Sequence, residues 1–330
     1  MKILAIESSC DETSAAVVEN GTKVLSCAVR SQIKTHAKFG GVVPEIAARD
    51  HVLAINFVVD QALKDANVEL KEIDTIAVTQ GPGLIGALFV GINAAQSLAL
   101  ALDKPLIGVN HLVGHAYAAA IGKELKFPCL VLLVSGGHTE LLIAHSHLEF
   151  EHIGQTLDDA VGECYDKVAR VLGFPYPGGK TIDDLAQTGN PEAFSFPRPI
   201  LKQGFNFSFS GLKSAVINAY AKNEDKANLN KADFAASFQK AVLDTIIYKT
   251  KKALKKYPDL KQLIVGGGVS ANKGLRAALA KEIKGVEVLI PEFKYCTDNA
   301  AMIGAAAYFQ VTKFGANEGL RLKGYSVNNL

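Results

Sequence analysis

The sequence predicts an α/β protein made of two duplicated domains. Three observations carry that expectation. Strand-like and helix-like segments alternate along the chain, and a strand, polar turn and strand near the N-terminus recur as a similar unit about 128 residues later. The 330 residues, 48% hydrophobic and 21% charged, are enough to bury two cores.

The first unit is "KILAIE" (2–7), an apolar run closing on a carboxylate, then the polar "SSCDET" and the run "SAAVVEN", which ends at Asn20-Gly21. The second is "CLVLLVSGGHTELLIAHS", with its turn at Ser135-Gly136-Gly137-His138-Thr139. Between them the pattern predicts an amphipathic helix over 45–66, the strand "TIAVTQ" with a "GPG" turn, a small-residue helix over 84–102 and the strand "PLIGVN". After the second unit, "TLDDAVGECYDKVARVLG" has helical spacing, and "FPYPGGKTID" and "FNFSFSGLKSA" read as loops. A long helix over 232–256, the strand "QLIVGGG", a helix opening at "VSANKGLR", the strand "VEVLIPE" and the helix "DNAAMIGAAAYFQVTKFG" complete the order. No low-complexity linker separates the halves.

A net charge of +2 gives no chain-wide basic field, so a nucleic-acid partner has to be held by a local patch. Five cysteines, odd in number and without a CxxC pair, suit reduced thiols in a cytoplasm, and Met1 leads straight into a strand-like run without a secretory leader. "LIGALFVGINAAQSLALAL" approaches membrane-span length, but Gly86, Gly91, Asn93, Gln96 and Ser97 recur inside it, which reads as a buried helix.

Several stretches can carry chemistry. In "ESSCDET" a strand-end carboxylate can hold a divalent cation and the turn can cradle a phosphate, the alternative being a solvated acidic turn. Paired glycines in "SGGHT" expose consecutive N–H groups, and "VGGGVSANKGLR" puts a glycine run between a strand and a helix, where it can lie along a nucleotide. Its spacing fits neither GxGxxG nor the P-loop. Two such turns, one heading each half, followed by a late strand-GGG-helix, form the layout of the actin, Hsp70 and sugar-kinase (ASKHA) superfamily. That layout implies two duplicated ribonuclease H-like domains with an interdomain nucleotide cleft.

His111 and His115 in "NHLVGHAYAAA" stand four apart; on a helix that spacing puts both on one face, as two ligands of one metal must be, the alternative being a chance pair with one histidine buried and one exposed. A HExxH protease needs a glutamate where Leu112 stands, and the inverted motif needs one at Gly114, so the local general base of a peptidase is missing. Asp298, directly before a helix, is either an N-cap or a third ligand.

Ten motifs, among them "MKILAIESSCDETSAAVV", "GGVVPEIAARDH", "VTQGPGLIGALFVG", "NHLVGHAYA", "LLVSGGHTEL", "FSFSGLKSA" and "YCTDNAAMIG", run from residue 1 to about 310 in the order of the universal tRNA threonylcarbamoyladenosine-modifying transferases, which the chain resembles in their bacterial form. The resemblance implies transfer of a threonylcarbamoyl group from threonylcarbamoyl-AMP to N6 of adenosine 37 in tRNAs reading codons that begin with A. It implies a divalent iron or zinc on His111, His115 and Asp298, with magnesium possible beside a nucleotide. Val134, Ser135, Gly136, Gly137 and His138 would contact the substrate; Asp166, Gly179, Asp183 and Asn272 would seat the adenylate; Asp11 and Glu12 match acidic catalytic positions. A carboxylate such as Asp183 suits the two hydroxyls of a ribose.

The implied domains are 1–115 completed by a C-terminal helix over 298–330, and 116–297. The implied partners are tRNA, a shorter paralogue of the same fold and a small P-loop ATPase, in the cytoplasm and without a membrane. Val113 stands where bacterial members often carry glutamate. The basic run "YKTKKALKKYPDLK" reads as a solvated helix end whose cations oppose the dipole, with phosphate contact the alternative, and the tail "LRLKGYSVNNL" carries no legible signal. A metal-dependent endopeptidase and a non-catalytic nucleotide-binding scaffold are the competing functions.

Overall fold

A computed structural model describes residues 1–223, 229–315 and 321–327. In chain order the first elements are β1 (Lys2–Glu7), β2 (Glu12–Glu19), β3 (Lys23–Ser31), α1 (Ile33–His36), α2 (Pro44–Ala66), β4 (Thr75–Gly81), α3 (Ile85–Leu102), β5 (Leu106–Asn110) and α4 (His111–Ala118). Then come β6 (Cys129–Val134), β7 (Thr139–Ser146), β8 (Glu149–Gln155), α5 (Val161–Val171), α6 (Gly179–Ala186), α7 (Ser210–Lys222) and α8 (Lys231–Lys256). The order closes with β9 (Gln262–Gly266), α9 (Lys273–Glu282), β10 (Glu287–Leu289) and α10 (Ala300–Phe314).

Two compact units result, Met1–Leu125 with Pro291–Leu330, and Lys126–Ile290. In the first, the sheet order is β3-β2-β1-β4-β5; in the second it is β10-β9-β6-β7-β8. Read from each unit's first strand the two are the same arrangement: an antiparallel meander of three strands extended by two parallel ones. The duplication expected from the two turn units is therefore a duplication of topology, the ribonuclease H-like sheet of the ASKHA class.

In the first unit β1 is buried on both faces, as its unbroken apolar run requires. Leu4 and Ile6 join Ile55, Val58, Leu88 and Ile92 of α2 and α3. Ala5 points the other way, toward Gly304 of α10, where an added Cβ would sit 3.3 Å from the Ala5 methyl and 2.6 Å from Val18. Helix α3 is long and apolar enough to cross a membrane by composition, yet its Ala87, Leu88, Gly91, Ile92, Ala95 and Ala99 stripe is buried on this core. The first segment of the unit runs on past residue 115, because α4 spans that point and packs on α10. The second unit's core gathers β6, β7 and β9 against α5 and α8 through Leu130, Leu132, Val168, Phe234, Phe238 and Val265.

Several elements differ from the sequence reading, including the short α1, which was not expected. Strands β3 and β8 are additional; β8 lies at a sheet edge and is mostly polar, which hides a strand's alternation. The "FPYPGGKTID" loop gives way to α6 at Gly179, and the "FNFSFSGLKSA" loop to α7 at Ser210. The start of α7 has no cap of its own: Asp158, 51 residues earlier, accepts from the Phe209 and Ser210 backbone N–H groups at 2.8 and 3.1 Å and from both Ser208 and Ser210 hydroxyls. A cap supplied from so far away leaves no local signature. The expected C-terminal helix over 298–330 is helical only over Ala300–Phe314; residues 321–327 are not helical, and 316–320 and 328–330 lie outside the described residues.

Candidate active site

In the first unit the strand-end carboxylate Glu7 is fully buried and almost fully satisfied. Its Oε1 accepts from the Ser9 backbone N–H at 2.5 Å, and its Oε2 accepts from the Thr79 hydroxyl at 2.5 Å and lies 3.1 Å from His111 Nδ1. Burial disfavours the charged form of Glu7, but the imidazole of His111 outweighs it and holds the carboxyl below its ordinary range. Burial likewise opposes protonation of His111, yet the carboxylates of Asp298 and Glu7 push it up to about 9. An ionised Glu7 makes Nδ1 of His111 the donor, so it is Nε2, on the other side of the ring, that gives up its proton and offers a lone pair when a cation displaces that proton.

On that side stand His115 and Asp298. His111 Nε2 lies 3.6 Å and His115 Nε2 3.1 Å from Asp298 Oδ1, and one ligand atom from each of the three residues falls within 4.8 Å of the others. His115 is 1% exposed and neither of its ring nitrogens has a hydrogen bond. The 3.1 Å approach to Asp298 therefore has the distance of a hydrogen bond without its geometry. Ring nitrogens of two buried histidines and an oxygen of the half-buried Asp298, all within 4.8 Å of one another, are what a cation would satisfy, and His/His/Asp is a donor set suited to zinc or iron.

Local structure makes this convergence. Asn110 caps α4, its side chain accepting from Leu112 and Val113 N–H, so the helix begins at His111 itself. Gly114, between the histidines, lets α4 approach α10; a Cβ there would lie 2.8 Å from Ile303 Cδ1. Asp298 is not a cap. That role belongs to Asn299, whose side chain accepts from Met302 N–H, while the Ala300 N–H donates to Ser14 Oγ of β2 at 3.0 Å. The alternative reading of Asp298 is thus taken by its neighbour, leaving its carboxylate to face the histidines.

Asp11 and Glu12 sit on the turn between β1 and β2. Burial, then the charges of Asp298 and Asp11, push Glu12 up to about 10, and Ser31 Oγ donates to its Oε1 at 3.2 Å. Burial and Asp11 also push the Cys10 thiol up. His51 of α2, which sequence reasoning passed over, braces this turn: its Nε2 reaches the Cys10 carbonyl at 3.0 Å and its Nδ1 the Thr13 hydroxyl at 2.7 Å.

The second unit gathers the other predicted residues. Val134 ends β6; the turn after it is closed by Ser135 N–H to the His138 carbonyl at 2.8 Å and by His138 N–H to Ser135 Oγ at 3.0 Å. Gly136 and Gly137 are exposed with open space where a side chain would be. Gly267, at φ +93°, passes so close to Val134 that a Cβ would meet its carbonyl oxygen at 2.4 Å. Asp166 of α5 accepts from Gly178 N–H at 2.8 Å, fixing the entry to α6, whose first residue is Gly179.

Asp183 and Asn272 meet at the start of α9. Asp183 Oδ2 accepts from Lys273 N–H at 2.8 Å and Oδ1 from Gly274 N–H at 3.2 Å, a carboxylate on a helix N-terminus. Asn272 is the N-cap, accepting from Leu275 N–H at 2.7 Å. Gln239 of α8 joins the two, donating to Asp183 Oδ1 at 3.0 Å and accepting from Asn272 Nδ2 at 2.8 Å and from the Tyr165 hydroxyl at 3.1 Å. Gln239, Tyr165, Ser9 and Thr79 were not singled out as site residues and carry no sequence signal; Glu7, the strand-end carboxylate read as able to hold a cation, instead contacts His111, one of the candidate ligands.

A family model described as tRNA N6-adenosine threonylcarbamoyltransferase matches residues 23–305. The chain belongs to that family. It is 55% identical to the protein of that name from Staphylococcus saprophyticus over 328 residues, 98% of this chain and 95% of the relative. It is 53% identical to the one from Bacillus subtilis over 311 residues, covering 93% and 89%. Among solved structures, full-length HypF in its phosphate- and nucleotide-bound form superposes on 96% of this chain with a TM-score of 0.62 at 14% identity, over 47% of that chain. The activator of 2-hydroxyisocaproyl-CoA dehydratase from Clostridium difficile covers 95% and 96% with a TM-score of 0.55 at 13% identity. At these identities the structural neighbours speak for the ASKHA fold alone.

Proposed function

We propose that this member of the family transfers the threonylcarbamoyl group of threonylcarbamoyl-AMP to N6 of adenosine 37 in tRNAs that read codons beginning with A. The N6 amine forms a bond to the carbamoyl carbon, the bond from that carbon to the phosphate oxygen breaks, AMP leaves, and the amine gives up a proton. The observation that carries the reading is the cluster of buried His111 and His115 with half-buried Asp298 in a chain of this family.

A divalent iron or zinc on those three side chains would supply Lewis-acid polarisation of an oxygen of the substrate. Glu7 and Ser9 orient His111 for it. Glu12 or Asp11, on the turn between β1 and β2, orients the amine or receives its proton; burial and the charges of Asp298 and Asp11 push Glu12 up to about 10, and a cation on Asp298 would draw it back down. In the second unit the open glycines of the 135–138 turn give backbone N–H groups to the substrate, with Val134 and His138 beside them. Asp183, Asn272, Asp166 and Gly179 seat the adenylate; Asp183 Oδ1 already accepts from Gly274 N–H, Gln239 and Gln187, so Oδ2, which accepts from Lys273 N–H, is the oxygen whose second lone pair suits a ribose hydroxyl.

A shorter paralogue, a small P-loop ATPase and a cytoplasmic location complete the reading. Support for a protein partner comes from apolar side chains left exposed on α2 and α3, Leu53 at 71%, Phe57 at 60% and Leu100 at 68%. The endopeptidase reading lacks a glutamate beside His111, where Leu112 stands. The test incubates the full chain and its partners with threonylcarbamoyl-AMP and unmodified tRNA, with nucleoside mass spectrometry as readout. Modified adenosine with wild type and none with His111→Ala/His115→Ala is expected. Equal modification by both would remove the cluster from the mechanism.

A further inference from the structure

The second unit carries a groove of 990 Å³ between α8, α9 and the 198–201 segment, and it is lined by six cationic side chains against two carboxylates, Asp244 and Glu282. That local surplus of four charges exceeds the +2 of the whole chain. The cations come from three separate elements: Arg198 from the loop, Lys240, Lys251, Lys252 and Lys255 from α8, and Lys281 from α9. A solvated helix end accounts for the lysines of α8 alone, not for cations brought to the same groove by two other segments.

Lys251 meets Glu282 at 3.1 Å with side chains 52% and 40% exposed, a pair that contributes about 0–1 kcal/mol, so a phosphate can replace that carboxylate. Arg198 is held more firmly, 25% exposed and giving two N–H groups to one Asp244 oxygen, to which Lys240 also donates at 3.0 Å. Lys240 to Lys255 spans about 22 Å of helix at 1.5 Å per residue. Tyr248, 40% exposed on the groove, offers a ring for an unpaired base.

We propose that this groove binds the sugar–phosphate backbone of the tRNA substrate. The inference rests on the tRNA transferase reading and adds to it the surface that grips the RNA. Lysines act here as point charges on flexible stems, which suits a backbone of phosphates, and they carry no base specificity.

The test compares the full-length wild type, a Lys251→Glu/Lys255→Glu/Lys281→Glu variant and the corresponding triple Lys→Arg variant. An unmodified tRNA transcript is the probe, titrated by fluorescence anisotropy between 50 and 200 mM salt. The glutamate variant is expected to bind at least about 30-fold more weakly, with the slope of log affinity against log salt reduced by about 2. The arginine variant is expected to stay within about threefold of wild type, since the charge is kept. Unaltered AMP binding and melting temperature in the glutamate variant identify the loss as local. Unchanged tRNA affinity and slope in that variant overturn the proposal, and unchanged tRNA affinity with loss of a co-eluting protein partner reassigns the face to an acidic protein.

The modification assay separates the two readings. If wild type modifies adenosine 37 and the glutamate variant does so with the same KM for tRNA, the groove proposal falls and the transferase stands. If wild type binds tRNA through the groove but transfers nothing, the reverse holds.

Discussion

Glu7 Oε2 and His111 Nδ1 lie 3.1 Å apart in a fully buried contact, and this one distance sets which nitrogen of His111 faces Asp298. Glu7 is held in place by Ser9 N–H and Thr79 Oγ1, so the imidazole is oriented from the strand end rather than by its own helix. Orientation by a carboxylate also raises the basicity of the opposite nitrogen.

Replacing Glu7 by Gln keeps the shape and removes the charge. Metal affinity is expected to fall by about 10–100-fold, measured by competition against a chelator with metal quantified by mass spectrometry. His115→Ala should abolish stoichiometric binding. A Glu7→Gln protein that holds its metal as tightly as wild type would show that the contact does not tune the ligand.

His51 gives a pH dependence. Burial lowers its pKa from the ordinary 6.5, and its two hydrogen bonds, to the Cys10 carbonyl and from the Thr13 hydroxyl, need the neutral Nε2–H tautomer. The folded protein therefore refuses a proton that the unfolded chain accepts below about pH 6.5. The stabilisation is complete above that pH and is lost as pH falls toward the folded value. The stability deficit of His51→Gln at pH 7.5 is accordingly expected to shrink at pH 5.5, by up to about 1.4 kcal/mol per pH unit. Denaturant midpoints at both values check it, and a constant deficit would contradict the tautomer assignment.

Gln239 ties Asp183 to Asn272 and Tyr165. Gln239→Leu removes both ends of that bridge and leaves buried partners unpaired, a cost of about 1–3 kcal/mol. If Asp183 and Asn272 seat the adenylate, AMP affinity should drop by about tenfold or more while the metal content of the first unit is unaffected. Calorimetric titration with AMP decides, and full affinity would make the bridge a purely structural one.

Lys249 is fully buried in α8, where its ammonium donates to the carbonyls of Ile200 at 2.8 Å, Gln203 at 2.5 Å and Gly204 at 3.4 Å. Lys249→Met fills the same space without a donor. Loss of about 1–3 kcal/mol and faster proteolytic nicking within 199–204 are expected. An unchanged midpoint would mean that water or Lys252 takes over the three acceptors.

Most of the order of strands and helices, the duplication, the spacing of His111 and His115 and the absence of a peptidase base were legible in the sequence, because each is a matter of period or of residue type at short spacing; β3, β8, α6 and α7 were not. What only the tertiary structure decided is long-range. Asn299 took the capping role and left Asp298 to face the histidines; Asp158 capped a helix 51 residues away; Gln239, in the middle of a helix with no motif, became the hub of a polar network. Burial and hydrogen-bond saturation belong to the folded environment and not to a residue's neighbours in sequence. For the same reason the charge of +2 concealed a groove whose cations come from three separated segments. Local pattern fixes what each segment is, and packing fixes which side chains meet.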